Sequence, residues 1–184
     1  RVLIHAGASG VGTAAIQLAT RLGAKVAVTA SSEDKLFACK SLGAELAINY
    51  GSSHFEHEIS KAWPDGVNLF LDPVAGEYIA REIALLATDG TIVVYAMMGG
   101  REIPALDLTG LFKRRGQIIC STLRNRSNRY KAQLVQAFQH AFAKDLAQRS
   151  IAPVIQQQFN WQQAEQAHQL MASNSTIGKL VLTF

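Results

Sequence analysis

Four small residues near the beginning of the chain have the types and spacing of a phosphate site or of a nucleophile site. The stretch "VLIHAGASGVGTAAIQLA" (2–19) places Gly7, Ser9, Gly10 and Gly12 directly after an apolar run. Such residues can form a phosphate loop for nucleoside triphosphates, a strained turn around a nucleophilic serine, or a turn that brings a dinucleotide to a helix N-terminus. They can also form a turn with no chemical role, so the neighbouring residues must decide.

The first two kinds of site each lack a residue that they need. Gly7 and Gly12 have the spacing of GxxxxGK[ST], but Thr13 and Ala14 stand where a lysine and a hydroxyl must contact phosphates and magnesium. A GxSxG nucleophile turn needs a second glycine where the chain has Val11. Neither triphosphate hydrolysis nor serine catalysis is therefore predicted.

A dinucleotide turn remains as the chemical interpretation. Gly7 would make the sharp turn, Gly10 would let the backbone approach the pyrophosphate, and Gly12 would let the helix pack against the sheet. The order GxSGxG departs from the usual GxGxxG, with Ser9 at the middle position. The context of strand, turn and helix favours a dinucleotide site over a merely structural turn.

The segment "VTASSEDK" (28–35) indicates which dinucleotide would bind. Enzymes that use NAD usually place an acid near this point, where it binds the ribose 2′-hydroxyl. Here Ala30 takes that place, followed by Ser31, Ser32 and the cation Lys35. Without the acid a 2′-phosphate meets less repulsion, and the lysine offers it a charge partner, so NADP is preferred. The two acids at 33–34 suit a first helical turn but lie close to the same place.

Short apolar runs alternate with segments of helical period along most of the chain. This alternation predicts an α/β fold with a doubly wound, six-stranded parallel Rossmann sheet. The predicted strands are 1–7, 25–31, 44–50, 66–74, 90–100 and 117–123, and the predicted helices are 12–23, 31–43, 53–63, 76–90, 108–116 and 129–149. A C-terminal strand–helix–strand tail follows at 151–160, 161–174 and 178–184.

Composition places the chain among globular proteins. It has 184 residues, 48% of them hydrophobic, and no apolar run of about 18 residues, so neither a membrane span nor export is predicted and we expect a cytoplasmic protein. A net charge of +4 with basic runs at 112–116 and 124–131 does not favour nucleic acid. Cys39 and Cys120 have no metal-site spacing and are expected to be buried structural thiols. The chain begins at Arg1 on an apolar strand, so we expect it to be part of a longer protein.

Four other places could carry chemistry, and we expect none of them to. His54 and His57 lie one helical turn apart without a third ligand, so no metal is predicted. Asp72, at the end of the fourth strand, is expected to shape a loop rather than act as a base. His5 is expected in the core or at its edge, and His168 on an exposed helix face.

Several segments together resemble a known family. They are "VLIHAGASGVGTAAIQLATRLGAKV", "SLGAELAINY", "LDPVAG", "LFKRRGQIICSTLRNR" and "STIGKLVLTF". The sequence resembles the zeta-crystallin type of NAD(P)H quinone oxidoreductase, in the medium-chain dehydrogenase/reductase superfamily, and enoyl reductases of that superfamily share much of the first segment. The resemblance implies a cofactor domain at 1–146 and a segment at 147–184 that rejoins a GroES-like catalytic domain.

The resemblance also implies positions for the cofactor, NADP. The pyrophosphate would lie on Gly10, Val11 and Gly12 beside Ser9, the adenosine 2′-phosphate on Ser31, Ser32, Lys35 and Tyr50, and the nicotinamide side near Met98 and Leu123, with Asn174 reaching the cofactor from the tail.

The activity implied is hydride transfer from NADPH to a quinone or an activated alkene, without zinc. No catalytic acid or base is identifiable in the chain. The family pairs the sixth strand with its copy, so a homodimer through 117–123 is expected. Two alternatives stay open: an enoyl reductase of the same superfamily, and an isolated module that binds or senses NADPH without catalysis.

Overall fold

The computed structural model describes residues 1–103 and 105–184. These described residues form eight strands and seven α-helices. The strands are β1 (Val2–Ile4), β2 (Val26–Ala30), β3 (Leu46–Asn49), β4 (Val67–Asp72), β5 (Leu86–Val94), β6 (Gln117–Cys120), β7 (Ile155–Asn160) and β8 (Lys179–Thr183); the helices are α1 (Gly10–Arg21), α2 (Glu33–Ser41), α3 (Phe55–Ala62), α4 (Tyr78–Leu85), α5 (Thr109–Lys113), α6 (Asn128–Ala147) and α7 (Ala164–Ala172).

The main sheet is parallel and doubly wound, which confirms the predicted fold. Its order is β3-β2-β1-β4-β5-β6, and Leu3 of β1 pairs with Ala27 of β2 and Phe70 of β4. The strand order reverses between β1 and β4, so a crevice opens beyond their carboxyl ends. The turn after β1 lies at this crevice.

Helices cover both faces of the sheet, and each face has its own hydrophobic cluster. Phe55, Ile59 and Phe70 belong to the cluster on the α3 and α4 side. Ile16 of α1 and Cys39 of α2 belong to the cluster on the other side. The strands are apolar on both faces because both faces are buried, as is usual for parallel sheets.

The turn after β1 includes Gly7, where a Cβ would lie only 2.7 Å from Val28 Cβ, and its positive φ is at Ala6 (52°). Two local predictions are wrong. The fourth helix ends at Leu85, not at residue 90, because the chain extends at once to pair with Val67 of β4. Cys120 is exposed because β6 is the last strand of the sheet.

The C-terminal tail forms a separate two-stranded parallel sheet of β7 and β8, as the strand–helix–strand pattern predicts. Its path leads back to α1: the Gln17 side chain donates to and accepts from the Ala152 backbone at 3.0 Å, and Arg21 pairs with Asp145 at 2.5 Å. Gly178 and Ser9 then form an isolated parallel bridge. Within the described residues, no helix combines the length and the apolar character that crossing a membrane requires.

A polar cluster is buried under the crevice. His5 and Glu82 are both 0% exposed, with His5 Nε2 3.1 Å from Glu82 Oε1. Burial, and then the charge of Asp72, raises the pKa of Glu82 well above its ordinary value. Burial lowers the pKa of His5 to about 3. Both shifts favour the neutral form of the side chain.

Replacing Glu82 by glutamine is expected to reduce the loss of stability with rising pH above pH 4.5. The folded state holds a proton on Glu82 that the unfolded state releases above pH 4.5. This group therefore lowers the free energy of unfolding as pH rises, by about 1.4 kcal/mol per pH unit until the folded-state pKa is passed. The lowered pKa of His5 acts in the opposite direction below pH 6.5, but it does so in both proteins. Urea unfolding at intervals from pH ~5 to ~9 measures the slopes, and equal slopes for both proteins throughout would contradict a raised pKa of Glu82.

Candidate functional site

The N-terminus of α1 is arranged to receive an anion. Ser9 is the N-cap, and its side chain accepts a hydrogen bond from the N–H of Gly12 at 3.0 Å. Among the described residues, the N–H groups of Gly10 and Val11 donate to no other backbone group. These two donors point out of a helix whose N-terminus carries partial positive charge, so together they can hold a phosphate oxygen.

Neighbouring atoms lie so close to two positions of the turn that a side chain there would overlap them, which explains why both are glycine. A Cβ at Gly12 would overlap the backbone oxygens of Ala6 and Gly7, so only glycine lets α1 start this close to the turn. A Cβ at Gly10 would overlap the side chain of Lys179 instead. The site therefore has rigid backbone behind Gly12 and a flexible cation in front of Gly10.

Lys179 is the functional candidate that sequence reasoning did not identify. It opens β8, and the N–H of the preceding Gly178 donates to Ala8 O at 2.8 Å, which fixes the tail against the turn. Its exposed side chain then lies over Gly10 at the helix N-terminus. The segment "GKLVL" contributes to the family resemblance but gives no role to its lysine, because no spacing rule connects positions 10 and 179.

The structure brings Lys35 and Ser31, both predicted for the 2′-phosphate side, together with Asn174, which was predicted to reach the cofactor from the tail. The Lys35 ammonium lies 3.1 Å from Ser31 Oγ, 2.6 Å from Asn174 O and 3.2 Å from Asn174 Oδ1. These three acceptors match the three N–H donors of a lysine. Ser32 has a different part: its side chain accepts from Lys35 N at 3.4 Å and caps α2.

The acid at the start of α2 does not contact Lys35. Glu33 Oε1 accepts a hydrogen bond from Asn49 Nδ2 at 3.2 Å, which directs the carboxylate towards β3. Ala30, where NAD enzymes usually have an acid, is buried at the end of β2. The Lys35 ammonium, 3.1 Å from Ser31 Oγ, places a positive charge at this end of the strand.

The remaining predicted residues lie apart from these contacts. Tyr50 is anchored only by its backbone, whose N–H donates to Ala30 O at 3.2 Å, and its side chain is half-exposed. Met98 and Leu123 are 79% and 54% exposed, in the loops after β5 and β6. The pairing of Val94 with Cys120 brings these two loops to the same edge of the sheet.

Asp72 shapes the loop at this edge, as predicted. Its carboxylate accepts from the N–H of Val74 at 2.6 Å and from that of Ala75 at 3.0 Å. Beside this loop lies a depression of about 330 Å³, lined by residues that include Val74, Ala75, Tyr78 and Gly99. A larger depression of about 500 Å³ lies near Arg1, where the strands begin and where parallel sheets do not bind ligands.

Histidines give no metal site in the described part of the chain. His54 and His57 are exposed around the start of α3, and His168 is exposed on α7. In residues 1–103 and 105–184, no three His, Cys, Asp or Glu side chains form a group that could hold a metal ion.

The sequence and the fold are similar to those of several oxidoreductases. The profile of the family described as zinc-binding dehydrogenase matches residues 10–140. The whole chain is 31% identical to a segment of a phenolphthiocerol/phthiocerol polyketide synthase of Mycobacterium tuberculosis, of which it covers 8%. Over 98% of its length it is 27% identical to the quinone oxidoreductase of Rattus norvegicus, of which it covers 54%.

Similar solved structures include complexes with NADPH. The whole chain superposes with a TM-score of 0.83 and 30% identity on the quinone oxidoreductase from Thermus thermophilus, which has been solved in complex with NADPH. The chain covers 57% of that protein. It thus spans about half the length of the two quinone oxidoreductases and a small part of the synthase.

Proposed function

Because the chain belongs to the zinc-binding dehydrogenase family of the medium-chain dehydrogenase/reductase superfamily, we propose that it is the NADPH-binding part of an oxidoreductase. The reaction we propose for the complete protein is hydride transfer to a quinone or another electron-poor alkene. In this proposal residues 1–146 form the cofactor domain, and residues 147–184 join a catalytic domain from elsewhere in the protein.

The observation that carries the proposal is the pair of cationic groups at the two ends of one crevice. Lys179 lies over Gly10 at the N-terminus of α1, which suits a pyrophosphate, and Lys35 lies beyond β2, which suits a 2′-phosphate. The Thermus thermophilus relative, solved with NADPH, supports the same cofactor. No acid competes for the ribose at Ala30.

The chain's own residues bind and orient the cofactor in this mechanism. The N–H groups of Gly10 and Val11 and the Lys179 ammonium hold the pyrophosphate, and the exposed Met98 and Leu123 pack beside the nicotinamide and exclude water from it. The dihydronicotinamide supplies the hydride. In this proposal the reaction requires no zinc, as the family resemblance implies.

Calorimetric titration of the chain with NADPH, and separately with NADH, tests the cofactor assignment. Tighter binding of NADPH is expected, because only NADPH carries the 2′-phosphate that Lys35 can contact. Failure to bind either nucleotide would contradict the proposal.

Lys179→Met is expected to weaken the binding of NADPH and of NADH equally, by about tenfold. The variant keeps the aliphatic stem over Gly10 but removes the charge at the pyrophosphate, which the two nucleotides share. Calorimetry at two salt concentrations checks the effect, because the loss should shrink as salt screens the wild-type contact. Lys25→Met is the matched control, an exposed lysine just before β2. Unequal losses for the two nucleotides would assign Lys179 to another part of the cofactor.

The acceptor separates the two candidate activities. The 31% identity with a polyketide synthase segment favours reduction of an enoyl thioester as the second candidate. Oxidation of NADPH by the complete protein, measured with a benzoquinone and with a crotonyl thioester, distinguishes them. If neither compound is reduced while NADPH binds, the non-catalytic binding module is supported instead.

We also propose that the complete protein forms a homodimer through β6. This strand has β5 on one side only, and Ile119 is 44% exposed. Pairing with its copy would cover the edge. Sedimentation velocity of the wild type and of an Ile119→Lys variant tests this, since a charge at the edge should give monomers.

A further inference from the structure

Three buried polar side chains connect α4 to the glycine turn. Glu82 of α4 lies 3.1 Å from His5 Nε2, and His5 Nδ1 lies 2.9 Å from Thr29 Oγ1 at the end of β2. His5 and Glu82 are completely buried, and Thr29 is 1% exposed. We call these three side chains the relay. They are not needed to bury apolar surface, and polar groups that are buried in such a place without partners are costly.

Charges around Glu82 do not favour a carboxylate. The guanidinium of the adjacent Arg81 binds Glu56 of α3 through two hydrogen bonds. Burial and then the charge of Asp72 raise the pKa of Glu82, while the charge of Arg81 lowers it by less. Tyr78 and Phe55 pack edge-on against the His5 ring, with centroids 4.9 and 4.8 Å away. Glu82 therefore stays protonated, in agreement with its raised pKa.

A protonated Glu82 fixes where the protons of His5 lie. Among the described residues, neither Nε2 nor either Glu82 oxygen has an assigned hydrogen-bond partner, although Nε2 and Oε1 lie 3.1 Å apart. At this separation a carboxyl O–H on Glu82 can donate to Nε2, which would pair both groups. A neutral His5 must then carry its single proton on Nδ1, from which it donates to Thr29 Oγ1.

The relay holds the turn that carries the proposed pyrophosphate site. Thr29 contacts the turn at two points, since its hydroxyl meets the His5 ring and its carbonyl accepts from Gly7 N at 2.9 Å. Between these points lies Ala6, whose φ of 52° is costly for a residue other than glycine. Neighbouring contacts must therefore hold the turn in this conformation.

We propose that Glu82 is a positioning residue for dinucleotide binding, which acts by holding His5 as its Nδ1–H tautomer. In this form His5 keeps the glycine turn and the end of β2 in the register at which the pyrophosphate and the adenosine ribose bind together. The inference rests on the proposed function, because it assigns Glu82 a part in that same site.

Nitrogen-15 NMR of the His5 ring tests the first half of the inference without any cofactor. Two-bond proton–nitrogen correlations show which ring nitrogen carries the proton. In the wild type and in Glu82→Gln we expect the proton on Nδ1 from pH ~5.5 to ~8, because both side chains can donate to Nε2. A proton on Nε2 in the wild type would overturn the relay outright.

Nucleotide binding tests the second half. Glu82→Met has a similar length but no donor, so we expect a mixture of His5 tautomers and binding of both NADPH and NADH weakened by roughly tenfold. Glu82→Gln should bind both nucleotides with affinities within about twofold of the wild type, because glutamine can still donate a hydrogen bond to His5. If packing alone mattered, the more polar glutamine would not restore the binding that methionine loses. Thr29→Val keeps the backbone hydrogen bond to Gly7 and should also weaken the binding of both nucleotides. It is the variant to use if Glu82→Met fails to fold.

The outcomes separate this inference from the function on which it rests. A wild type that binds neither nucleotide would overturn both. A wild type that binds NADPH, together with a folded Glu82→Met or Thr29→Val that binds it equally well, would overturn the positioning role alone.

Discussion

Replacing Lys35 by alanine is expected to weaken NADPH binding by roughly 30- to 150-fold, while NADH loses no more than about threefold. The difference corresponds to about 2 to 3 kcal/mol for charge-assisted contacts to the 2′-phosphate, which NADH lacks. Lys35 is only 7% exposed, and its ammonium lies 3.1 Å from Oγ of Ser31, the residue directly after β2. Paired calorimetric titrations of both nucleotides measure the ratio.

Two further variants make the result specific. Lys40→Ala removes a lysine from the last turn of the same helix and should leave both affinities unchanged. Asn174→Ala removes the amide that accepts from Lys35 but leaves the lysine in place, so it should preserve the preference for NADPH. Equal losses for NADPH and NADH in Lys35→Ala would refute the 2′-phosphate assignment.

Gly12→Ala is expected to abolish measurable binding of either nucleotide, a loss of more than about 100-fold, and to destabilise the fold by about 1 to 3 kcal/mol. The new methyl group would overlap the backbone oxygens of Ala6 and Gly7, and no side chain there can move aside. The helix must then shift away from the turn, and the N–H donors of Gly10 and Val11 shift with it. Urea unfolding and calorimetry measure the two effects.

Gly10→Ala is the matched comparison two positions away in the same turn of helix. Its methyl group would meet only the flexible Lys179 side chain, so stability should stay within about 0.5 kcal/mol of the wild type. Binding should still weaken, by at least about tenfold, because the methyl group occupies the approach of the pyrophosphate. Equal free energies of unfolding for Gly12→Ala and Gly10→Ala would contradict this prediction. They would show that the turn changes its conformation more easily than the backbone contact implies.

The main sheet is predictable from local sequence patterns, namely hydrophobic period and helix-ending glycines. Each strand and its following helix differ in period, and glycines such as Gly23 and Gly43, both at positive φ, end helices where the sequence predicts. The end of α4 was misplaced because the strand partner of Leu86 is Val67, a pairing that no local signal records. Cys120 was misplaced for a related reason, since its exposure depends on β6 being the edge of the sheet.

The candidate site divides in the same way. The cap at Ser9 and the close packing at Gly12 both depend on residues within one turn of each other. The sequence predicts the close packing at Gly12, whereas the cap at Ser9 comes from the structure. The contact of Lys35 with Asn174 joins positions far apart in the chain, and only the resemblance suggested that Asn174 belongs there. The place of Lys179 over Gly10 and the partnership of His5 with Glu82 needed the three-dimensional structure.

The bridge between Ser9 and Gly178 also sets an order of events during synthesis. The ribosome makes the glycine turn and its helix near the beginning of this segment, and the six strands of the main sheet are complete once residue 120 has emerged. The cation over Gly10 is added only after Lys179 has been translated. In a nascent chain the strands of the main sheet can therefore be complete while the anion site is not. Nucleotide that binds the complete site stabilises the form in which the last strand has docked.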